Sequence, residues 1–556
     1  MGKLSVSLAL TLALTTKPIF AFHNFNANFL PNLTDSDVSP LNDGAPPEGT
    51  NPLVLGFYAT TEVIDPVPLE IEGEIPTWVK GSLYRGAQAT WDVHNFTSEH
   101  WFDGFSRQHR FEIENGTVFY RSRNGSDEVQ DFVRETGLYP GGSFGTDPCK
   151  AIFGAFEVNF RDASGKQGDK DTNSVAIAHV KDFPGLARNS SNFGPLVNLV
   201  VTTDGGNALQ QIDTVTLEPI ELFQYDGPGF SNPGSSFTAA HPGIGANHEV
   251  YNYILDFQGE TSMYQVFAIE ADGKGRVLAN ITDAPPAYIH SVSSTENYVI
   301  QIIWQSDFGP PPQQGSPVLE FIQPWDPERP TLFYVVDKKR GGVVATFTAP
   351  TFFAFHEVNS FEDGNDIVID LVVFPDNSWL QNAKMNHLRK AGPRNPNINI
   401  DLPATFRRFR LQDFLNAHES GDTEAKTELE IPYESGNIEL PRINDNFHHK
   451  PYRYAYGVHV EKRGFFVDSI IKIDIETQTT KLWIPENNHL PSEPIFVPRP
   501  GCDDDEDDGV LLTIAVDSAT SRSNLVVIDA KTMVELGRAK MPIVMGYGFH
   551  GVWGGA

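Results

Sequence analysis

The stretch FAFHEVNSFEDGNDIVIDLVVF, residues 353–374, sets His356 in a strand-like context just ahead of a second β-rich run. Three other histidines stand in comparable strand or turn contexts: His241 in FTAAHPG, His290 in AYIHSVSSTENY and His550 in GYGFHGVW. No two of them share a local motif. A zinc finger or a helical histidine pair places its ligands a few residues apart. Histidines spread from position 241 to position 550 meet only in a fold that carries several strands to one central point.

The rest of the chain is written in short β runs separated by turns. RFEIENGTVFYRSR, YQVFAIEADGKGRVLA and LFYVVDKKRGGVVATF read as hairpins with polar turns, and NLVVTTD, YNYILDF and NYVIQIIW as further strands. GFFVDSIIKIDIETQTTKLWI and LLTIAVDSATSRSNLVVIDAKTMVELGRAKM continue the pattern toward the C-terminus. Helical periodicity is scarce, with 380–392 and the region 126–160 as the candidate helices. The reading is all-β. Many four-stranded units suggest a β-propeller, with an array of sandwiches as the other solution to the pattern. No repeat of fixed length supports a WD40 arrangement.

The four histidine contexts, in their order along the chain, resemble the carotenoid cleavage oxygenase family. WFDGFSRQHRFEIENGTVFYRSR (101–123), FGTDPCKAIF (144–153), KPYRYAYG (450–457), PSEPIFVP (491–498) and EDDGVLL (506–512) extend the resemblance from about residue 47 to the C-terminus. It implies a seven-bladed β-propeller capped by a dome of loops and short helices, taken as one domain over 47–556. It also implies that His241, His290, His356 and His550 bind one Fe(2+), with O2 as cosubstrate. On this resemblance Glu439 (NIELPRIN), Glu493 (PSEPIFVP) and Asp204 (VTTDGGN) stand behind the ligands, Asp204 where the family usually has Glu. A ligating histidine donates its second ring N–H to such a group. Glu357 competes for that role, but strand alternation turns it away from its neighbour His356. The other histidines, His248, His448, His449 and His459 among them, read as ordinary polar residues.

The implied reaction is oxidative cleavage of a conjugated alkene in a carotenoid or apocarotenoid to two carbonyl products. A stilbene or phenylpropenoid substrate, an isomerohydrolase, and a secreted propeller that binds without catalysis are the alternatives. No G-x-S-x-G elbow speaks for a hydrolase, and no GxGxxG follows a strand. Four ligands on an octahedral iron leave two positions open, and Thr203 is a candidate to border one of them. With 39 phenylalanines available, Phe102, Phe105, Phe352, Phe353, Phe355 and Phe447 are the candidate walls of an apolar substrate tunnel, against ordinary propeller core.

Composition narrows the partners. A net charge of −31 provides no basic face for nucleic acid. Two cysteines, Cys149 and Cys502, make no disulfide framework, and their pairing stays open. Lys3, the apolar run Leu4–Leu14 and Ala21 read as a signal peptide over residues 1–21, or else as an uncleaved arm, followed by an irregular lead-in over 22–46. The expected location is the secretory pathway or outside the cell, with a membrane-associated intracellular protein as the alternative. Acceptor motifs at Asn32, Asn95, Asn115, Asn124, Asn189 and Asn280 fit the first. GLYPGGSFGTDPCKAIFGAF (137–156) is read as an apolar patch at the tunnel mouth that meets a lipid surface, or as a buried dome segment.

Overall fold

The computed structural model describes residues 44–152, 158–162, 164–188, 196–231, 237–258, 261–310, 316–391, 402–421, 423–461, 467–485, 489–501 and 505–555. The signal-peptide reading, most of the lead-in, Cys502 and its pairing, and residues 153–156 lie outside them. Cys149 is exposed. The fold is a seven-bladed β-propeller, as the sequence leads one to expect.

Each blade is an antiparallel sheet of at least four strands. The hairpins close where the turn residues permit. Glu114 pairs with Thr117 across Asn115 and Gly116, whose φ values of 51° and 76° are those of a two-residue I′ turn. Strands deep in the ring, such as Leu199–Thr202 and Gly509–Asp517, are buried along their whole length because each blade is covered on both faces. This explains their near-continuous apolar sequence.

Strands from early and late in the described residues close the ring. The C-terminal strand Gly551–Gly555 pairs with Gly81–Arg85 and becomes the inner strand of the first blade. The early strand Glu70–Gly73 pairs with Gly537–Lys540 at the outer edge of the seventh. Moving in chain order from that first blade, the inner strands are Gly551–Gly555, Ala178–Lys181, Gly243–Ile244, Ser293–Ser294, Phe353–Asp363, Glu439–Arg442, and the pair His489–Pro491 with Ile495–Pro498.

Short helices and loops cover the end of the axis at which the histidines sit. Asp127–Thr136 is the only sizeable helix among the described residues. It stops at Gly137, whose φ is 72° and whose N–H bonds to Val133 O. The helix expected over 380–392 is instead two short ones, Ser378–Asn382 and Met385–Leu388. Between them Ala383 O accepts from Trp101 N and Met385 N donates to Glu99 O, so contacts with the 99–101 segment replace helical bonds. No described helix is long and apolar enough to cross a membrane.

The loop at 143–146 is pinned from inside. The buried Asp103 carboxylate accepts from Phe144 N, Gly145 N (2.9 Å) and Thr146 Oγ1 (2.8 Å). Tyr139 and Phe144 are buried, so within the described part of 137–156 the large rings point inward.

Candidate metal centre

Four of the seven inner strands deliver a histidine to the axis. His241 and His290 precede the short inner strands of blades three and four, and are tied to each other by His241 N donating to His290 O at 3.1 Å. His356 lies inside Phe353–Asp363, where the register shifts between Ala354 and Glu357. This bulge re-aims the side chain. His550 precedes the closing strand, and its carbonyl accepts from Gly86 N at 3.0 Å. The glycines around it have a steric cause. A Cβ at Gly548 would fall 2.1 Å from Gly86 O, and one at Gly551 would fall 2.4 Å from Arg85 Cδ.

One ligand nitrogen from each ring lies within 4.8 Å of the other three. His356 Nε2 and His550 Nε2 are 3.1 Å apart, and His241 Nε2 is buried with no hydrogen-bond partner. First-row metals bind imidazole at about 2.0–2.1 Å, so ligand atoms on one ion stand about 3–4 Å apart. The donor set therefore fits a single ion. Burial, and then the neighbouring imidazoles, hold His241 well below the usual histidine range. Burial and then His356 do the same for His550. Neutral imidazole is the form that binds metal.

Three of the rings are held from behind. His356 Nδ1 meets Glu439 Oε2 at 2.6 Å, His550 Nδ1 meets Glu493 Oε1 at 2.8 Å, and His290 Nδ1 meets Asp204 Oδ2 at 2.9 Å. Each carboxylate favours the proton on Nδ1 and leaves Nε2 free. Glu493 also accepts from Arg442 Nε (2.8 Å), Arg85 Nη1 (3.1 Å) and Gly551 N (2.8 Å). The charge of Glu493 is thus already balanced by arginine. Asp204 and Glu439 form ion pairs with histidine alone among the described contacts. Their negative charges favour a cation at the cluster, which lowers the cost of burying it in apolar surroundings. Glu357 faces elsewhere: it accepts from Ser360 Oγ, and burial pushes its carboxyl up to about 7.

An apolar cavity opens over three of the histidines. Phe102, Phe355, Trp101, Trp379 and Phe549 are among its walls, with His290, His356 and His550 at its base. A second, more polar cavity adjoins it, and Phe102 and Ile177 line both. Thr203 lines the second cavity beside Asp204, not the one over the histidines.

Of the six candidate tunnel phenylalanines, Phe102 and Phe355 line the apolar cavity. The other four are corrected by where their strands carry them. Phe105 is buried in a separate cluster with Phe96, Val129 and Tyr139. Phe352 stacks on Phe409 between blades, and Phe353 packs behind Phe355 against Trp304 and Phe374. Phe447 lines a cavity at the opposite end of the inner strands, with His448 and His449. His459 is buried with Nδ1 on Asn437 O, and His248 is an exposed turn residue.

Sequence reasoning missed Arg85, Arg442 and Tyr288. Tyr288 lies two residues before His290, and that spacing on an extended segment could have found it. Arg85 is 408 residues from Glu493 and carries no such signal.

The sequence profile of the retinal pigment epithelial membrane protein family, RPE65, matches residues 56–554. The chain belongs to the RPE65/carotenoid oxygenase family. Among members of this family, it is 34% identical to the torulene dioxygenase of Fusarium fujikuroi, covering 90% of this chain and 93% of that one. It is 32% identical to the carotenoid dioxygenase of Neurospora crassa, covering 90% of each. The human mitochondrial carotenoid-cleaving dioxygenase is 29% identical over 88% of each chain. Solved structures of Synechocystis apocarotenoid oxygenase share the fold. A mutant superposes with a TM-score of 0.68 at 21% identity, and the cobalt-substituted enzyme with 0.67 at 22%; each covers 91% of this chain and 98% of that one.

Proposed function

We propose that this family member is a non-heme iron(II) dioxygenase that cleaves a conjugated double bond of a carotenoid or apocarotenoid into two carbonyl products. The observation that carries the reading is the convergence of four imidazole nitrogens, three of their rings backed by carboxylates, at the base of an apolar cavity. The names of the fungal relatives point to the same substrate class.

His241, His290, His356 and His550 would hold the ion. Iron(II), when bound, supplies the electron density that lets dioxygen react with an electron-rich alkene. The protein's own work is placement. Glu439, Glu493 and Asp204 fix three ring orientations. Phe102, Phe355, Trp379 and Phe549 offer flat apolar faces on which a polyene aligns, so that one double bond rests over the histidines. The same walls keep water from the reacting carbons.

The test is reconstitution with iron(II) under anaerobic conditions, then exposure to 18O2 with a panel of carotenoids, apocarotenoids and stilbenes. Mass analysis should show one labelled oxygen in each aldehyde from a carotenoid. Cleavage of stilbenes alone assigns the phenylpropenoid substrate, and stoichiometric ligand binding without oxygen uptake assigns a binding module.

The same reading includes entry into the secretory pathway, supported by Lys3 with the apolar run after it and by the exposed acceptors Asn95 and Asn115. N-terminal sequencing of the mature protein tests it. A lipid-surface contact through 137–156 for substrate collection is tested by co-sedimentation with phospholipid vesicles. Retention of the protein in the supernatant would remove that part.

A further inference from the structure

Asp204 Oδ2, Tyr288 Oη and His290 Nδ1 form a closed triangle. His290 Nδ1 stands 2.9 Å from the carboxylate oxygen and 3.0 Å from the phenol, and the phenol bonds to the same carboxylate oxygen. Three polar atoms thus share only two protons. The other carboxylate oxygen, Asp204 Oδ1, is buried with no partner, so all the bonding of Asp204 passes through one atom. The phenol has little freedom to leave. Tyr288 is buried, its ring meets Phe144 edge-on with centroids 5.2 Å apart, and its carbonyl accepts from Trp304 Nε1 and Ser306 Oγ.

The placement of the two protons decides whether His290 can bind a metal. If Nδ1 keeps its proton and donates a hydrogen bond to Asp204, Nε2 has a free lone pair. If the phenol donates to Nδ1 instead, the ring proton moves to Nε2 and the lone pair is lost. At 3.0 Å the phenol is within reach to do this.

We propose that Asp204 and Tyr288 act as a tautomer lock on His290: the carboxylate draws the phenolic proton away from Nδ1, and the phenol in turn pins the carboxylate under the ring. Tyr288 is a positioning residue, and the inference rests on reading the histidine cluster as a metal centre. The other two carboxylate-backed rings, His356 and His550, have no phenol beside Nδ1 among their described contacts. The lock is therefore particular to His290.

The lock makes a non-additive prediction. Removing Asp204 alone leaves Tyr288 to donate to Nδ1 and stabilises the wrong tautomer. Removing both groups takes the wrong donor away. The experiment measures cobalt(II) affinity of the full chain by competition with a chromophoric chelator, together with the visible cobalt spectrum. The proteins are the unaltered chain, Asp204→Ala, Tyr288→Phe and the double variant, with circular dichroism as the check on folding. Asp204→Ala should lower affinity about 10–100-fold, and Tyr288→Phe should lower it less. The double variant should bind several-fold more tightly than Asp204→Ala. If it binds no better than Asp204→Ala, the lock is overturned while the metal centre stands. If the unaltered chain fails to bind cobalt stoichiometrically, the metal reading fails and the lock with it. Should Asp204→Ala not fold, Asp204→Leu, which fills the space with apolar atoms, replaces it in both variants.

Discussion

Arg85 Nη1 meets Glu493 Oε2 at 3.1 Å, with side-chain exposures of 0% and 1%, across 408 residues of chain. The pair sits where the first and seventh blades adjoin, so the carboxylate behind His550 also fastens the closure of the ring. Burial pulls the Arg85 guanidinium down to about 10, against the attraction of Glu493. Replacing Glu493 by Gln would strand the buried Arg85 without a counter-charge and leave Arg442 with Asp445 alone. Glu493→Gln should therefore lower unfolding stability by about 3–5 kcal/mol and metal affinity by about 10–100-fold. Denaturant unfolding and metal titration on one preparation check both. A variant with unaltered stability would show that the pair is not a structural tie.

His356→Ala should abolish metal retention and alkene cleavage while leaving a folded chain. The side chain stands at the centre of the cluster, 3.1 Å from His550 Nε2 and 2.6 Å from Glu439, but the surrounding strand bonds do not depend on it. Metal analysis after desalting, with circular dichroism, separates loss of the ion from loss of the fold.

Phe102 stands between the apolar cavity and the polar one and packs edge-on against Phe549 and Phe355. Phe102→Ala should join the two spaces and let a polyene slide along them. The expected outcome is a mixture of aldehydes from neighbouring double bonds where the unaltered enzyme gives one pair. Chromatography of products from a single carotenoid reads this directly, and an unchanged product pair would remove Phe102 from the positioning wall.

Lys338 offers a pH signature away from the histidines. Its ammonium donates to Thr295 O at 2.6 Å and lies 3.9 Å from the centre of the Tyr251 ring, and burial pulls it from 10.5 down to about 8. Between these values the unfolded chain binds a proton that the folded chain has given up. Stability from this group is thus fully present above pH 10.5 and is lost as pH falls through 8. The unaltered protein should show this contribution as a relative rise in melting temperature from pH 8 to 10.5, and Lys338→Met should lack it.

The hairpins were legible because turn chemistry is local. Asn115-Gly116 adopts the positive φ values that its two residues favour. The helix over 380–392 was misread for the opposite reason: Trp101 and Glu99, far away in sequence, compete for its backbone groups. Alternation along a strand correctly turned Glu357 away from the centre and could also have brought in Tyr288. Phe352, Phe353 and Phe355 could not be ranked from sequence, since the bulge beside His356 and the depth of each neighbouring blade decide which ring reaches the cavity.

By itself the sequence determined the all-β character, because strand patterning is written within a few residues, and its resemblance to a known family singled out the four histidines and the three carboxylates. Only the tertiary structure decided which phenylalanines form a wall, which arginines meet Glu493, and that a phenol stands beside Nδ1 of His290 together with the carboxylate. The reason is geometric. Closing seven blades into a ring joins residues hundreds of positions apart, and an imidazole takes its tautomer from the atoms that this closure sets beside it.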